Sequence, residues 1–241
     1  MFDFSWVQSF GYAFLIGFIP ALIWLGFWLL QDLKRPEPRL LLLKTFGAGM
    51  LCVLLVLPIQ KFAATYFALG FPLLLIWAAA EELLKFGAAW LVALRNRAVD
   101  EPIDVPIYFI TVALGFAALE NMLFLLTPLA QGQFEHGLIT GNLRFLGATL
   151  IHVLSSAVIA GALAFAFYKR KSIQILYGTV GVILAILLHA VFNFSIINTR
   201  ADLLLTIFAA VWVGIVFLLL ILERVKSISR PAWWKKIFLR K

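Results

Sequence analysis

The chain has 241 residues, of which 63% are hydrophobic, and its formal net charge is +8. Soluble globular domains are roughly 45–50% apolar, so the composition excludes an ordinary soluble protein and indicates a single integral membrane domain over residues 1–241. The basic residues lie beside apolar runs, which is typical of membrane topology and argues against a nucleic-acid partner. The single cysteine, Cys52, excludes a disulfide framework and a cysteine-based metal site.

Seven apolar runs are long enough to cross a bilayer, which takes about 20 residues in a helix. In chain order they occupy 9–30, 40–58, 72–95, 106–127, 144–168, 173–195 and 201–222. Gly70 and Pro72 favour a break before the third run, so the stretch 59–71 is interpreted as a surface or re-entrant piece, with an eighth crossing as the alternative. The pattern predicts an all-α fold, a polytopic transmembrane helix bundle of about 7–8 spans.

Lysine and arginine are distributed unevenly between the two sets of loops. With seven spans, 15 of them fall in alternate loops and in the tail 223–241, whereas the opposite loops hold only Lys61, Arg144 and Arg200. Cytoplasmic loops carry the excess of positive charge. We therefore expect the N-terminus outside, the C-terminus in the cytoplasm, and a basic cytoplasmic tail resting on the inner leaflet of the cell's cytoplasmic (inner) membrane.

Ionisable side chains within a membrane are costly and commonly mark a functional or paired site. In this sequence such residues lie on four predicted spans, which form a polar core at about 72–195. They are Glu81, Glu82 and Lys85 on the third span, Glu120 with its neighbour Asn121 on the fourth, His152 on the fifth, and His189 with Asn193 one turn on in the sixth. The first glutamate of the third span, Glu120 and both histidines lie six to nine residues from the predicted outer ends of their spans. That spacing is about 9–14 Å of helix. Four helices of alternating direction thus place polar groups at one level, which predicts one cavity nearer the outer face.

Two mechanisms are compatible with these residue types. Zn²⁺ accepts histidine nitrogen and glutamate oxygen, so Glu120, His152 and His189 form a candidate metal triad, with Glu81 or Glu82 as the general base. In a metal-independent alternative, a glutamate activates water while histidine and asparagine stabilise the oxyanion. The spacing does not decide between the two mechanisms.

Each polar residue also has a structural interpretation when it is taken alone. Glu81 and Lys85 share a helix face, and Glu82 is turned about 100° from Glu81, so one carboxylate pairs with the lysine and the other faces the cavity. The histidines form interhelical hydrogen bonds in this interpretation, and Asn193 contributes to helix packing. The case for a functional site depends on their common depth.

The ordered motifs resemble the PrsW family of intramembrane proteases. They are "DLKRPEP" (32–38), "EELLK" (81–85), "GFAALEN" (115–121), the isolated His152 and "HAVFN" (189–193), and together they cover about residues 28–195. The family is similar, more distantly, to CAAX prenyl proteases and bacteriocin-processing enzymes. Those relatives have Phe-x-x-x-His where this sequence has Phe116 followed by Glu120, which leaves the ligand set open.

The resemblance implies hydrolysis of a peptide bond in a membrane-associated protein at a site within the bilayer. Its implied substrate is a membrane-anchored regulator, such as an anti-sigma factor, cleaved on the extracytoplasmic side. Within that scheme the two adjacent glutamates activate water, Lys85 tunes their charge, and Asn193 orients His189 or donates to the oxyanion. A proton- or ion-coupled transporter and a non-catalytic membrane scaffold are the alternative functions.

Overall fold

The computed structural model describes residues 4–32, 35–200 and 203–232, and every regular element within these ranges is helical. Eight α-helices follow one another along the chain: α1 (Phe4–Leu29), α2 (Arg39–Ala63), α3 (Phe71–Ala89), α4 (Asp104–Ala130), α5 (Phe134–Leu143), α6 (Thr149–Phe165), α7 (Lys171–Asn198) and α8 (Leu204–Lys226). A 3-10 turn, Leu30–Asp32, extends α1, and π-helical turns at Trp90–Leu94 and Arg144–Ala148 follow α3 and join α5 to α6. The predicted all-α fold is confirmed.

Within the described residues, six helices are long and apolar enough to cross a membrane: Trp6–Asp32, Arg39–Ala63, Asp104–Ala130, Phe134–Phe165, Lys171–Asn198 and Leu204–Lys226. The chain is therefore a multi-pass membrane protein by the length and composition of its helices. The helix α3 is not in this set because Glu81, Glu82 and Lys85 interrupt its apolar sequence. Its 19 residues extend for about 28 Å, close to the thickness of a bilayer's hydrocarbon core.

The stretch 59–71 differs from its predicted form. Residues 59–63 complete α2, and Pro58 lies inside that helix without ending it, as transmembrane helices tolerate. Only 64–70 form an irregular turn before α3, whose second residue is Pro72. The stretch therefore forms neither a separate re-entrant piece nor an eighth crossing helix, whereas 64–70 agree with the predicted surface piece because all but Gly70 are exposed.

The helix α4 occupies the centre of the bundle. Every residue from Asp104 to Ala118 is buried, and α4 packs against α1, α2 and α6. Its crossing with α2 is so close that a Cβ at Gly115 would overlap the backbone of Phe46, and one at Gly49 would overlap that of Val112. Small residues permit such approaches between membrane helices. The neighbouring α3, α6 and α7 pack against one another, so four helices meet where the polar side chains lie.

Candidate active site

Glu82 is the best-satisfied carboxylate of the polar core. Its side chain is fully buried, and its Oε1 accepts hydrogen bonds from Lys85 Nζ at 2.5 Å and His189 Nδ1 at 2.8 Å. The hydroxyl of Ser155 lies 2.9 Å from the same oxygen, and that of Ser156 lies 3.4 Å from Oε2. A buried carboxylate with this many donors is held as an anion. Glu82 therefore anchors α6 and α7 to α3 and fixes the His189 ring.

Glu81 leaves one oxygen free. Its Oε1 accepts a hydrogen bond of 2.7 Å from Gln60 Nε2 on α2. Its Oε2 is buried and has no hydrogen-bond partner in the described chain. That oxygen lies 3.6 Å from His189 Nε2 and 3.9 Å from His152 Nδ1. An unpaired buried carboxylate oxygen is costly, so this position favours a cation or a proton donor.

The hydrogen-bond partners assign the histidine tautomers. Lys85 Nζ, which can only donate, lies 3.2 Å from His152 Nδ1, so the lone pair is on Nδ1 and the proton is on Nε2, 3.1 Å from Glu120 Oε2. His189 donates its Nδ1 proton to Glu82, which leaves the lone pair on Nε2. Three lone pairs, on Glu81, His152 and His189, therefore converge, and the one on His152 is shared with Lys85.

Glu120 lies on the open side of this cluster. The guanidinium of Arg144 forms an ion pair with Glu120 and donates from Nε to Asn121 Oδ1 at 2.6 Å. Asn121 in turn donates to Thr149 Oγ1 at 2.9 Å. The side chains of Glu120 and Arg144 are 17% and 15% exposed, whereas Glu82 and Lys85 are at 1% or less. Glu120 and Arg144 are thus the charged groups of the cluster that an approaching molecule reaches first.

The structure brings most of the candidate residues into contact and offers a second set of possible metal ligands beside the predicted one. A ligand atom from each of Glu81, His152 and His189 lies within 4.8 Å of the other two. Glu120 is bound by Arg144 and contacts His152, so the predicted triad of Glu120, His152 and His189 stays a prediction.

The two predicted asparagines lie apart from the triad. The side chain of Asn121 contacts Arg144 and Thr149. Asn193 is half-buried one turn beyond His189, and its side chain has no hydrogen bond within the described residues. Their catalytic roles stay predictions.

Four contacting residues were absent from the candidates drawn from sequence. They are Gln60 near the end of α2, Arg144 in the π turn before α6, and the adjacent serines Ser155 and Ser156. Gln60 falls in the stretch 59–71, interpreted as a surface or re-entrant piece, Arg144 begins the predicted fifth span, and serine carries no charge. The available signal was spacing, because both serines lie within about one turn of His152. Arg144 is also two turns before it, and π turns frequently occur at functional sites.

The triad has the donor set of a divalent metal site. Two nitrogens and one carboxylate oxygen suit Zn²⁺, and the Glu81 oxygen that faces both rings has no other partner in the described chain. The Glu82–His189 contact is the carboxylate–histidine pairing that orients ligating imidazoles. The residues present therefore fit a metal ion.

Comparison with known proteins gives the family. The model of the PrsW family of intramembrane metalloproteases matches residues 37–221. The chain is 29% identical to Protease PrsW of Geobacillus kaustophilus over 187 residues, which cover 75% of this chain and 78% of the relative. It is 27% identical to Protease PrsW of Oceanobacillus iheyensis over 74% of this chain and 80% of that protein. It is 25% identical to Protease PrsW of Bacillus subtilis over 74% of this chain and 79% of that protein. No solved structure matches the chain. The match over most of the sequence shows that the chain belongs to the PrsW family of intramembrane metalloproteases.

Proposed function

We propose that this membrane peptidase hydrolyses its substrate at a metal centre held by Glu81, His152 and His189. The observation that carries the proposal is the buried Glu81 oxygen, which faces the two imidazoles at 3.6 and 3.9 Å and has no hydrogen-bond partner in the described chain. The chemistry that a bound Zn²⁺ supplies is polarisation of the scissile carbonyl and activation of a water molecule.

The remaining side chains divide the proton and charge transfers. Glu82 is saturated with donors and fully buried, so it orients His189 and neutralises Lys85. Glu120 is the carboxylate left at the partly exposed edge, and it accepts the proton of the attacking water and returns it to the leaving amine. Arg144 holds Glu120 in place and presents further N–H donors to the developing oxyanion.

The substrate in this proposal is a membrane-anchored protein that enters from the bilayer. Ligand and base groups buried among α3, α4, α6 and α7 suit a peptide segment that has left water. A membrane-anchored regulator such as an anti-sigma factor is the substrate class implied by the family resemblance. The proposed cleavage side is extracytoplasmic, since Gln60 contacts Glu81 three residues before the end of α2 that the charge distribution assigns to the outside.

The proposed topology adds α3 to the six apolar helices, which gives seven crossings of the inner cell membrane. The N-terminus then lies outside and the C-terminus in the cytoplasm. The apolar length of α3 and the basic loops support this arrangement. Cysteine labelling tests it, with Cys52→Ala as the background. A membrane-impermeant maleimide applied to intact cells should label Gln133→Cys and not Ser172→Cys, and the reverse pattern would refute the orientation.

Metal content of the purified protein in detergent tests the centre itself. We expect near-stoichiometric zinc in the wild type and its loss in Glu81→Gln and His189→Ala. The matched control is His136→Ala, because His136 is the one histidine of the chain outside the proposed centre and is exposed on α5. Zinc retained in Glu81→Gln would reject Glu81 as a ligand. Active wild-type protein free of metal would reject the metal centre and favour glutamate-activated water.

Proteolysis is tested separately in membranes. New protein N-termini should appear in cells that express the wild type, remain in His136→Ala and disappear in Glu81→Gln. No difference between wild type and Glu81→Gln would count against a protease. Proton-coupled flux in liposomes, lost in Glu82→Gln, would instead favour the transporter.

A further inference from the structure

A second cluster of carboxylates lies at the opposite end of α4. Asp32 ends the turn after α1, Glu37 lies in the loop before α2, and Asp104 is the first residue of α4. One carboxylate oxygen from each lies within 4.8 Å of the other two. Asp104 precedes Glu120 by sixteen residues on the same helix, or about 24 Å. The cluster is therefore separate from the site described above.

All three carboxylates are buried, with relative exposures of 7% for Asp32, 9% for Glu37 and 3% for Asp104. Buried carboxylates of like charge repel one another and lose hydration, so they require protons or cations. The basic side chains nearby form ion pairs with other acidic groups: Arg35 with Glu101, Arg230 with Asp100 and Glu101, and Lys226 with Glu223. No ion pair joins a lysine or arginine to the three clustered carboxylates within the described residues.

The hydrogen bonds of the described residues leave one buried oxygen of the cluster without a partner. Asp104 Oδ2 accepts the backbone N–H groups of Asp100 and Glu101 at 2.8 and 2.7 Å, and Glu37 accepts the hydroxyl of Tyr108. Asp32 Oδ2 is buried and has no hydrogen-bond partner in the described chain. The two partnered carboxylates are thus held in position, and the third presents a free oxygen beside them.

We infer that Asp32, Glu37 and Asp104 bind a hard divalent cation, Mg²⁺ or Ca²⁺. The donor atoms are all carboxylate oxygens, which these ions prefer and which distinguish this cluster from the nitrogen-rich triad. A dication offsets most of the charge of three carboxylates and supplies the partner that the Asp32 oxygen lacks. Bound there, it links the α1–α2 connection to the first turn of α4.

Thermal unfolding of the full-length protein in detergent tests this site without reference to proteolysis. The competing occupant is a proton, because burial raises the pKa of Glu37 to about 8. The protein is therefore stripped with a chelator and measured at a pH above that value. We expect added Mg²⁺ or Ca²⁺ to raise the wild-type unfolding midpoint, as a ligand of the folded state does, and the larger shift identifies the occupant.

The variant Asp32→Asn keeps the shape of the side chain and removes its charge. It should abolish the cation-dependent shift, and without cations it should unfold at a higher temperature than the wild type because one unpartnered buried anion is gone. Glu135→Gln, on an exposed acidic residue of α5, controls for general charge effects. Glu81→Gln should keep the shift, which separates this site from the proposed metal centre. A wild type without a shift, or Asp32→Asn with an undiminished one, would overturn the inference.

Discussion

Replacing Glu82 with glutamine isolates the charge of the most deeply buried carboxylate in the candidate site. Glutamine has nearly the same shape, and its amide oxygen can still accept from His189 and Ser155, which lie 2.8 and 2.9 Å from the carboxylate. The ion pair with Lys85 is lost, and both side chains are at 1% exposure or less, so water cannot replace the missing charge. Glu82→Gln therefore leaves a lysine ammonium buried without its counter-ion.

The expected cost follows from that burial. Removing one partner of a buried ion pair destabilises a protein by about 3–5 kcal/mol, because the remaining charge is desolvated and unpaired. Lys85 keeps neutral acceptors, such as the His152 lone pair at 3.2 Å, but no negative charge at ion-pair distance in the described chain. We therefore expect Glu82→Gln to lower the free energy of unfolding by about 3 kcal/mol or more.

Reversible unfolding in mixed detergent micelles measures this quantity. The matched control is Glu223→Gln, since Glu223 pairs with Lys226 at the same spacing but is 65% exposed, and such surface pairs contribute less than about 1 kcal/mol. The double variant Glu82→Gln/Lys85→Met removes both charges and should recover stability relative to Glu82→Gln alone. Unchanged stability in Glu82→Gln, or a double variant whose loss equals the sum of the two single losses, would refute the reasoning.

Two further substitutions test the packing and the open side of the site. Gly49→Ala should destabilise the bundle by about 1–3 kcal/mol, because the added Cβ meets the backbone of Val112. The control is Gly47→Ala on the same helix, where an added Cβ meets nothing within 4 Å. Equal unfolding midpoints for the two variants would contradict the close crossing. Arg144→Lys keeps the charge but loses the planar donors that reach Glu120 and Asn121, so the cleavage rate should fall about tenfold or more. The control Arg97→Lys, on an exposed residue, should cleave at the wild-type rate. Unimpaired cleavage in Arg144→Lys would remove the arginine from the mechanism.

The helical architecture was predictable because lipid-facing segments are long and uniformly apolar. The runs at 40–58 and 173–195 correspond to α2 and α7, although both helices continue further at each end. The turn at 64–70 was harder to place, since Pro58 is a helix breaker in water but lies within α2. The helix α3 carries three charges in an otherwise apolar sequence, and it accommodates them because they are buried against other helices.

The ionisable groups of the candidate site were predictable from sequence, but their hydrogen-bond partners were not. A shared depth brings Glu81, Glu120, His152 and His189 to one level, and the structure joins them through contacts of 3.1 to 3.9 Å. Which oxygen stays free depends on side chains from outside the motifs. Gln60 occupies one oxygen of Glu81, and the arginine before α6 occupies Glu120. Those partners come from other helices, so spacing along one helix carries no information about them.

The helix α4 connects the two polar clusters through a continuously buried apolar segment. Asp104 begins it and Glu120 lies sixteen residues further on, while the hydroxyl of Thr111 between them donates to the carbonyl of Ile107. Polar contacts therefore do not extend from one cluster to the other along this helix. Packing remains as the link, at the crossing where Gly115 meets the backbone of Phe46. Because close-packed interiors have low compressibility and transmit strain, a cation that fixes the start of α4 would stabilise the position of Glu120 without altering the charges around it.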